Sequence, residues 1–135
     1  MSTFYKDNIS LCCHVLIAET NNIVFPLGVQ LISPENNRMS YTGTDYTFFD
    51  NLDHISKQNC YIMINEISTI LSRNGYRGIC GYDFLLVNHK PILIEINPRY
   101  MGSSYLINHV LLKAINLSAF RKLVPTDFID QRFRL

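Results

Sequence analysis

Asp83, Glu95, Asn97 and Arg99 are the residues whose types and spacing could do chemistry. They lie in two apolar runs, Gly78 to Val87 (GICGYDFLLV) and Pro91 to Asn97 (PILIEIN), around Asn88-His89-Lys90. On a strand, side chains i and i+2 share a face, so Leu93, Glu95 and Asn97 point one way and Ile92, Ile94 and Ile96 the other. In the first run Asp83, Leu85 and Val87 share a face, with Tyr82, Phe84 and Leu86 opposite. If Asn88-His89-Lys90 forms a three-residue loop, Val87 pairs with Pro91 and Asp83 falls directly opposite Glu95. A five-residue loop gives the same pairing, whereas two- and four-residue loops put the carboxylates on opposite faces and split the apolar set. Register follows the hydrophobic pattern, so an odd loop is expected.

Two carboxylates opposed in this way have Cβ atoms roughly 4.5–5.5 Å apart, where like charges repel. A hard divalent cation relieves the repulsion, and Asp83, Glu95 and the Asn97 amide offer three oxygen ligands on one face. Mg²⁺ suits such a set, because it is held by one or two carboxylates plus substrate phosphates. Arg99, just past the strand end, is placed to grip a phosphate or carboxylate through two parallel hydrogen bonds. Against this stands the plainer reading of solvated carboxylates on the wet face of a hairpin, with Asn97-Pro98 ending the strand. Gly102-Ser103-Ser104 leads into an expected helix, where a serine caps the first turn or the exposed amides face an anion.

The elements that must position these groups follow from the pattern. Ile9 to Ala18 and Ile23 to Ile32 are apolar runs joined at Thr20-Asn21-Asn22, which reads as a hairpin; Pro26 and Gly28 mark the second run as an edge or bulged strand. Ser33 to Asn37 has loop composition, and Arg38 to Asp45 can hold a short strand. His54 to Asn74 is a helix, with Ile55, Ile62, Ile64, Ile67, Ile70 and Leu71 as its apolar stripe, Ser56 or Asp53 as N-cap and Gly75 just past its end. A second helix is expected from Ser103-Ser104, a third from Leu117 or Ser118 to Val124, and a tail from Thr126 to Leu135. The fold class is α+β, an antiparallel sheet with packed helices.

Composition excludes several functions. The 135 residues suit one domain, and 47% apolar content supports a core rather than a disordered tail. Twelve basic against eleven acidic residues leave a net charge of +1, too balanced for a nucleic-acid partner. No apolar stretch reaches the ~18–20 residues of a membrane helix, and the N-terminus lacks the pattern of a signal peptide, so a cytoplasmic protein is expected. Cys12, Cys13, Cys60 and Cys80 include no C-x-x-C pair and read as reduced core residues. His14, His54, His89 and His109 have no acid or nucleophile paired with them in sequence and read as structural or exposed.

Taken together, Gly75-Tyr76-Arg77-Gly78, Gly81-Tyr82-Asp83-Phe84, Glu95-Ile96-Asn97-Pro98-Arg99 and Gly102-Ser103-Ser104 resemble the C-terminal metal-binding half of the ATP-grasp superfamily. Pro26 to Ile32 and Tyr41 to Asp45 are similar to the preceding part of its carboxylate–amine ligase-like members, and the resemblance spans roughly residues 8 to 116. It implies ATP and Mg²⁺ as cofactors, with Asp83, Glu95 and Asn97 as the cation and nucleotide ligands and Arg99 as the catalytic basic residue. The implied reaction joins a small-molecule carboxylate to an amine through an acyl phosphate. Gln30 and Asp45 are further substrate-contact candidates. The family's hinge, mobile small-residue loop and phosphate-binding lysines precede the matched segment, and Lys6 is the only lysine before Lys57. The resemblance therefore implies that residues 1–135 form a single incomplete domain, a fragment or subunit inactive until a companion chain or a homo-oligomer completes it.

Two other classes fit part of the pattern. A non-catalytic remnant would keep the fold and bind a partner through an uncovered edge, with Ile23, Val24 or Phe25 exposed. A metal-dependent hydrolase would use Asp83 and Glu95, but no histidine stands at ligand spacing from them.

Overall fold

The computed structural model describes residues 8–35 and 38–102. The helices expected beyond Ser103, the tail from Thr126 and His109 lie outside these residues. Six strands, β1 (Ile9–Ile17), β2 (Asn22–Val24), β3 (Gly28–Glu35), β4 (Arg38–Asp45), β5 (Gly78–Val87) and β6 (Lys90–Asn97), form one antiparallel sheet of order β4-β3-β1-β5-β6, with β2 on β1 beside β3. One helix, α1 (His54–Arg73), joins β4 to β5 after a short 3₁₀ turn at Phe48–Asn51. The architecture is α+β, as the element order implied.

β1 is the spine. It pairs with β5 from Ile9 opposite Leu86 to Ile17 opposite Gly78. The expected strand Ile23–Ile32 is in fact two strands. Val24 lies opposite Val15 while Gly28 lies opposite Cys12, so the chain between them carries one extra residue. Pro26, which has no N–H to give a ladder, sits in that gap, as the reading of a bulged strand anticipated. Ser33–Glu35, expected as loop, instead continue β3 by pairing with β4. Pro34 is accommodated there because β3 beyond Val29 pairs with β4 alone. Ile23 and Val24 are partly buried and Phe25 is buried, so none of the three is the exposed contact a remnant would need.

Asp53 caps α1 by accepting the backbone N–H of Ser56, and Gly75, at φ +85°, follows its last turn in the left-handed conformation. The buried stripe differs from the expected one. Ser56, Cys60, Ile64 and Ser68 are buried, with Ile67 and Leu71 packed beside them, whereas Ile55, Ile62 and Ile70 are exposed. Isoleucines occur all round this helix, and the face that fits closely under the sheet is the one with small residues.

Side-chain alternation gives the sheet two faces. Leu11, Cys13, Val15, Cys80, Tyr82, Phe84 and Leu86 join Cys60 and Ile64 of α1 in the core. The other face carries Ser10, Cys12, Gln30, Asp83 and Asn97.

Candidate functional site

The hairpin β5–β6 turns on two residues, Asn88 and His89, not on three or five. Both have positive φ, +48° and +64°, which is the twist a two-residue hairpin requires. Asparagine tolerates that conformation; His89 is held in it by α1. Its Nδ1 lies 2.9 Å from Ser56 Oγ and 3.1 Å from Asp53 Oδ2, and its carbonyl accepts from Asn59 Nδ2 at 2.8 Å.

From this turn Phe84 pairs with Leu93, and a regular ladder would set Asp83 against Ile94. The ladder instead shifts by one residue, so that Asp83 faces Glu95, Tyr82 faces Ile96 and Gly81 faces Asn97. Ile94 is the extra residue of a β-bulge and is 60% exposed. The opposed carboxylates are therefore present, but by an even turn plus a bulge rather than by an odd loop. The bulge also exchanges two side chains: Leu93, expected beside Glu95, packs against the core, and Ile94, expected in the apolar set, does not.

All four site residues inferred from sequence line one cavity of about 210 Å³. Asp83 Oδ1 accepts from Gln30 Nε2 at 2.8 Å and Oδ2 from Asn97 Nδ2 at 3.0 Å. With its N–H₂ group spent on Asp83, buried Asn97 keeps its Oδ1 for another partner. Burial, and after it the charge of Glu95, raises the Asp83 carboxyl above the ordinary range; the Gln30 and Asn97 hydrogen bonds and Arg99 act the other way. Glu95 and Arg99 are exposed. The Arg99 backbone N–H donates to the Asn97 carbonyl at 2.7 Å, a tight turn, and its guanidinium donates to the Tyr100 carbonyl at 3.1 Å.

The cavity is also lined by Cys12, Gln30, Tyr41, Met101 and Gly102. Gln30 is thus at the site, as its candidacy required. Asp45 is not among the lining residues; its Oδ1 accepts from the Thr47 backbone and hydroxyl at 2.8 and 2.7 Å and ties β4 to the 3₁₀ turn. Cys12 was expected only as a core thiol, and neither Tyr41 nor Met101 was expected at the site. Alternation along β1 could have suggested Cys12, but nothing local marks Tyr41 or Met101. Met101 Sδ lies 3.7 Å from Asn97 Nδ2 and its side chain occupies the space above Gly81.

His14, on the same face, is buried, and burial pushes its imidazole down to about 4, so it is neutral at pH 7. The four cysteines are buried thiols outside any disulfide, and burial raises those of Cys60 and Cys80 to about 11, far from a reactive thiolate. Among the described residues no three His, Cys, Asp or Glu side chains gather where they could hold a metal ion. No described helix is long and apolar enough to cross a membrane.

The family model described as an ATP-grasp domain matches residues 7–103, and the chain belongs to that family. No curated protein matches it. Among solved structures, an L-amino acid ligase from Bacillus licheniformis is similar in fold, with a TM-score of 0.51 at 17% sequence identity. The match covers 81% of this chain and 26% of that ligase, so the chain spans about a quarter of its length.

Proposed function

We propose that the chain is the metal-binding part of an ATP-dependent carboxylate–amine ligase. The observation that carries this reading is that Asp83, Glu95, Asn97 and Arg99 line a single cavity in a chain of the ATP-grasp family. The donor set fits Mg²⁺: two opposed carboxylates and a free amide oxygen are hard ligands, and the repulsion between the carboxylates is what a cation would remove. When bound, Mg²⁺ with ATP supplies charge neutralisation for transfer of the γ-phosphoryl group to a carboxylate oxygen.

The chain's own residues do the rest. Asp83 and Asn97, joined by a hydrogen bond, fix two ligand oxygens on one strand pair, and Glu95 projects a third from the exposed side. Arg99 pairs with the reacting carboxylate or the phosphoryl oxygens and keeps them close. An amine then displaces phosphate from the acyl phosphate. The L-amino acid ligase that shares the fold supports small carboxylate and amine substrates. Among the described residues Arg99 is the one basic residue lining the cavity.

Isothermal titration with Mg-ATP and Mg-AMPPNP tests the reading. Heat with the wild type that is lost in Glu95→Gln is expected. No heat with either nucleotide, or the same heat from both proteins, would overturn it and leave a non-catalytic interaction module.

A further inference from the structure

We propose that Gln30, braced by Ser10, is a positioning residue for the cation site, holding Asp83 in the orientation from which it ligates the ion. This rests on the ligase reading above.

The geometry leaves the Gln30 amide one orientation. An ionised Asp83 carboxylate only accepts, so the N–H₂ end of Gln30 must face it, and Gln30 Oε1 is left to accept from Ser10 Oγ at 2.6 Å. The N–H₂ end reaches Asp83 Oδ1 at 2.8 Å. The contact spans three strands and crosses one of them. Gln30 is on β3 and Asp83 on β5, with β1 between them. Cys12 of β1 lies opposite both Gly28 and Asp83, so a small side chain and a glycine flank the path along which Gln30 extends.

Asp83 is then held from both sides, by Gln30 on one oxygen and Asn97 on the other. Each amide uses one lone pair and leaves the carboxylate others for an ion. Without Gln30 the carboxylate has only the Asn97 bond to hold it against the repulsion of Glu95. Hydrogen-bond partners behind a metal-ligating carboxylate typically change metal affinity about 10–100-fold when removed.

The test is Mn²⁺ binding with ATP present, followed by water-proton relaxation, in the wild type, Gln30→Leu, Ser10→Ala, Ser10→Thr and Glu95→Gln, with thermal midpoints recorded for each. Gln30→Leu is expected to weaken binding about 10–100-fold. Ser10→Ala should weaken it by less, because Gln30 keeps its bond to Asp83 but loses the one that braces it, and Ser10→Thr, which restores the hydroxyl, should recover it. A purely structural role would not follow the hydroxyl in this way. If Gln30→Leu binds like the wild type while Glu95→Gln does not bind, the positioning role falls and the ligase reading stands. Equal weakening in Ser10→Ala and Ser10→Thr removes the bracing role. If the wild type takes up no Mn²⁺, both fall.

Discussion

Asp83 and Glu95 face each other because Ile94 drops out of the ladder between them and the turn. Two like charges are thus placed side by side by a deliberate irregularity, which costs stability when no cation is present. Glu95→Gln should raise the stability of the metal-free protein by about 0.2–1 kcal/mol, near the lower figure because Glu95 is exposed, and should abolish Mg-nucleotide binding. Thermal melts in EDTA and in Mg²⁺ check both signs; a loss of stability in EDTA would contradict the repulsion.

The same pair sets a pH dependence. Asp83 has its folded carboxyl raised, by burial first and by Glu95 second, so the folded state holds the proton more tightly than the unfolded chain. Its favourable contribution is complete below the unfolded value of about 3.9 and is lost as pH rises through the folded one. In EDTA, Glu95→Gln should shrink that loss without removing it, because burial remains. Unfolding measured from pH 3 to 7 in the two proteins shows the difference.

The opposed carboxylates were reached from the sequence on a premise that fails, since the turn is even and Ile94 is exposed rather than part of a buried apolar face. The route to them was not legible. Ile92, Leu93, Ile94 and Ile96 are all apolar, so a one-residue bulge leaves no trace in the alternation. The two-residue turn is stabilised by Asp53, Ser56 and Asn59, some thirty residues away, which no local pattern carries. Gln30 meets Asp83 only through the sheet order, 53 residues apart in sequence. On α1 the small residues Ser56, Cys60 and Ser68 line the buried side, so a search for isoleucines pointed partly to the wrong face.

Gly81 is needed for what lies above it. A Cβ there would collide with Met101 Sδ and come within 2.6 Å of its Cε and Cγ. Gly81→Ala should cost no more than about 1 kcal/mol, because the atoms in its way belong to the flexible Met101 side chain, and should weaken nucleotide binding by displacing Met101 from Asn97. Met101→Ala added to Gly81→Ala should restore much of the stability. Denaturant unfolding of both variants checks the pairing, and no recovery in the double variant would mean that Met101 is not the obstacle.

Asp53 ties the helix start to the hairpin turn. The hydrogen bonds from Ser56, then that from His89, hold its carboxyl well below the usual range. A depressed carboxyl contributes stability above the unfolded value of about 3.9 and loses it as pH falls through the folded one. Asp53→Ala should lower the melting midpoint at pH 7 by several degrees and flatten the acid limb of the stability curve. His89→Ala, which keeps the cap but frees the turn, should lower the midpoint at pH 7 and leave most of that limb in place. Melting curves across the acid range separate the two.

Ser68 and Tyr82 join α1 to the strand that carries Asp83. Ser68 Oγ donates its single proton to the Ile64 carbonyl at 2.7 Å, so the bond at 2.9 Å to Tyr82 has the tyrosine hydroxyl as donor. Both residues are fully buried. Ser68→Ala strands that hydroxyl without an acceptor and should cost about 1–3 kcal/mol, whereas Tyr82→Phe leaves Ser68 bonded to Ile64 and should cost about 0.5–1.5 kcal/mol. Adding Tyr82→Phe to Ser68→Ala should then recover stability, since an apolar pair has no unsatisfied group. Chemical denaturation of the three variants tests that order. A double variant less stable than Ser68→Ala would show that Tyr82 donates elsewhere.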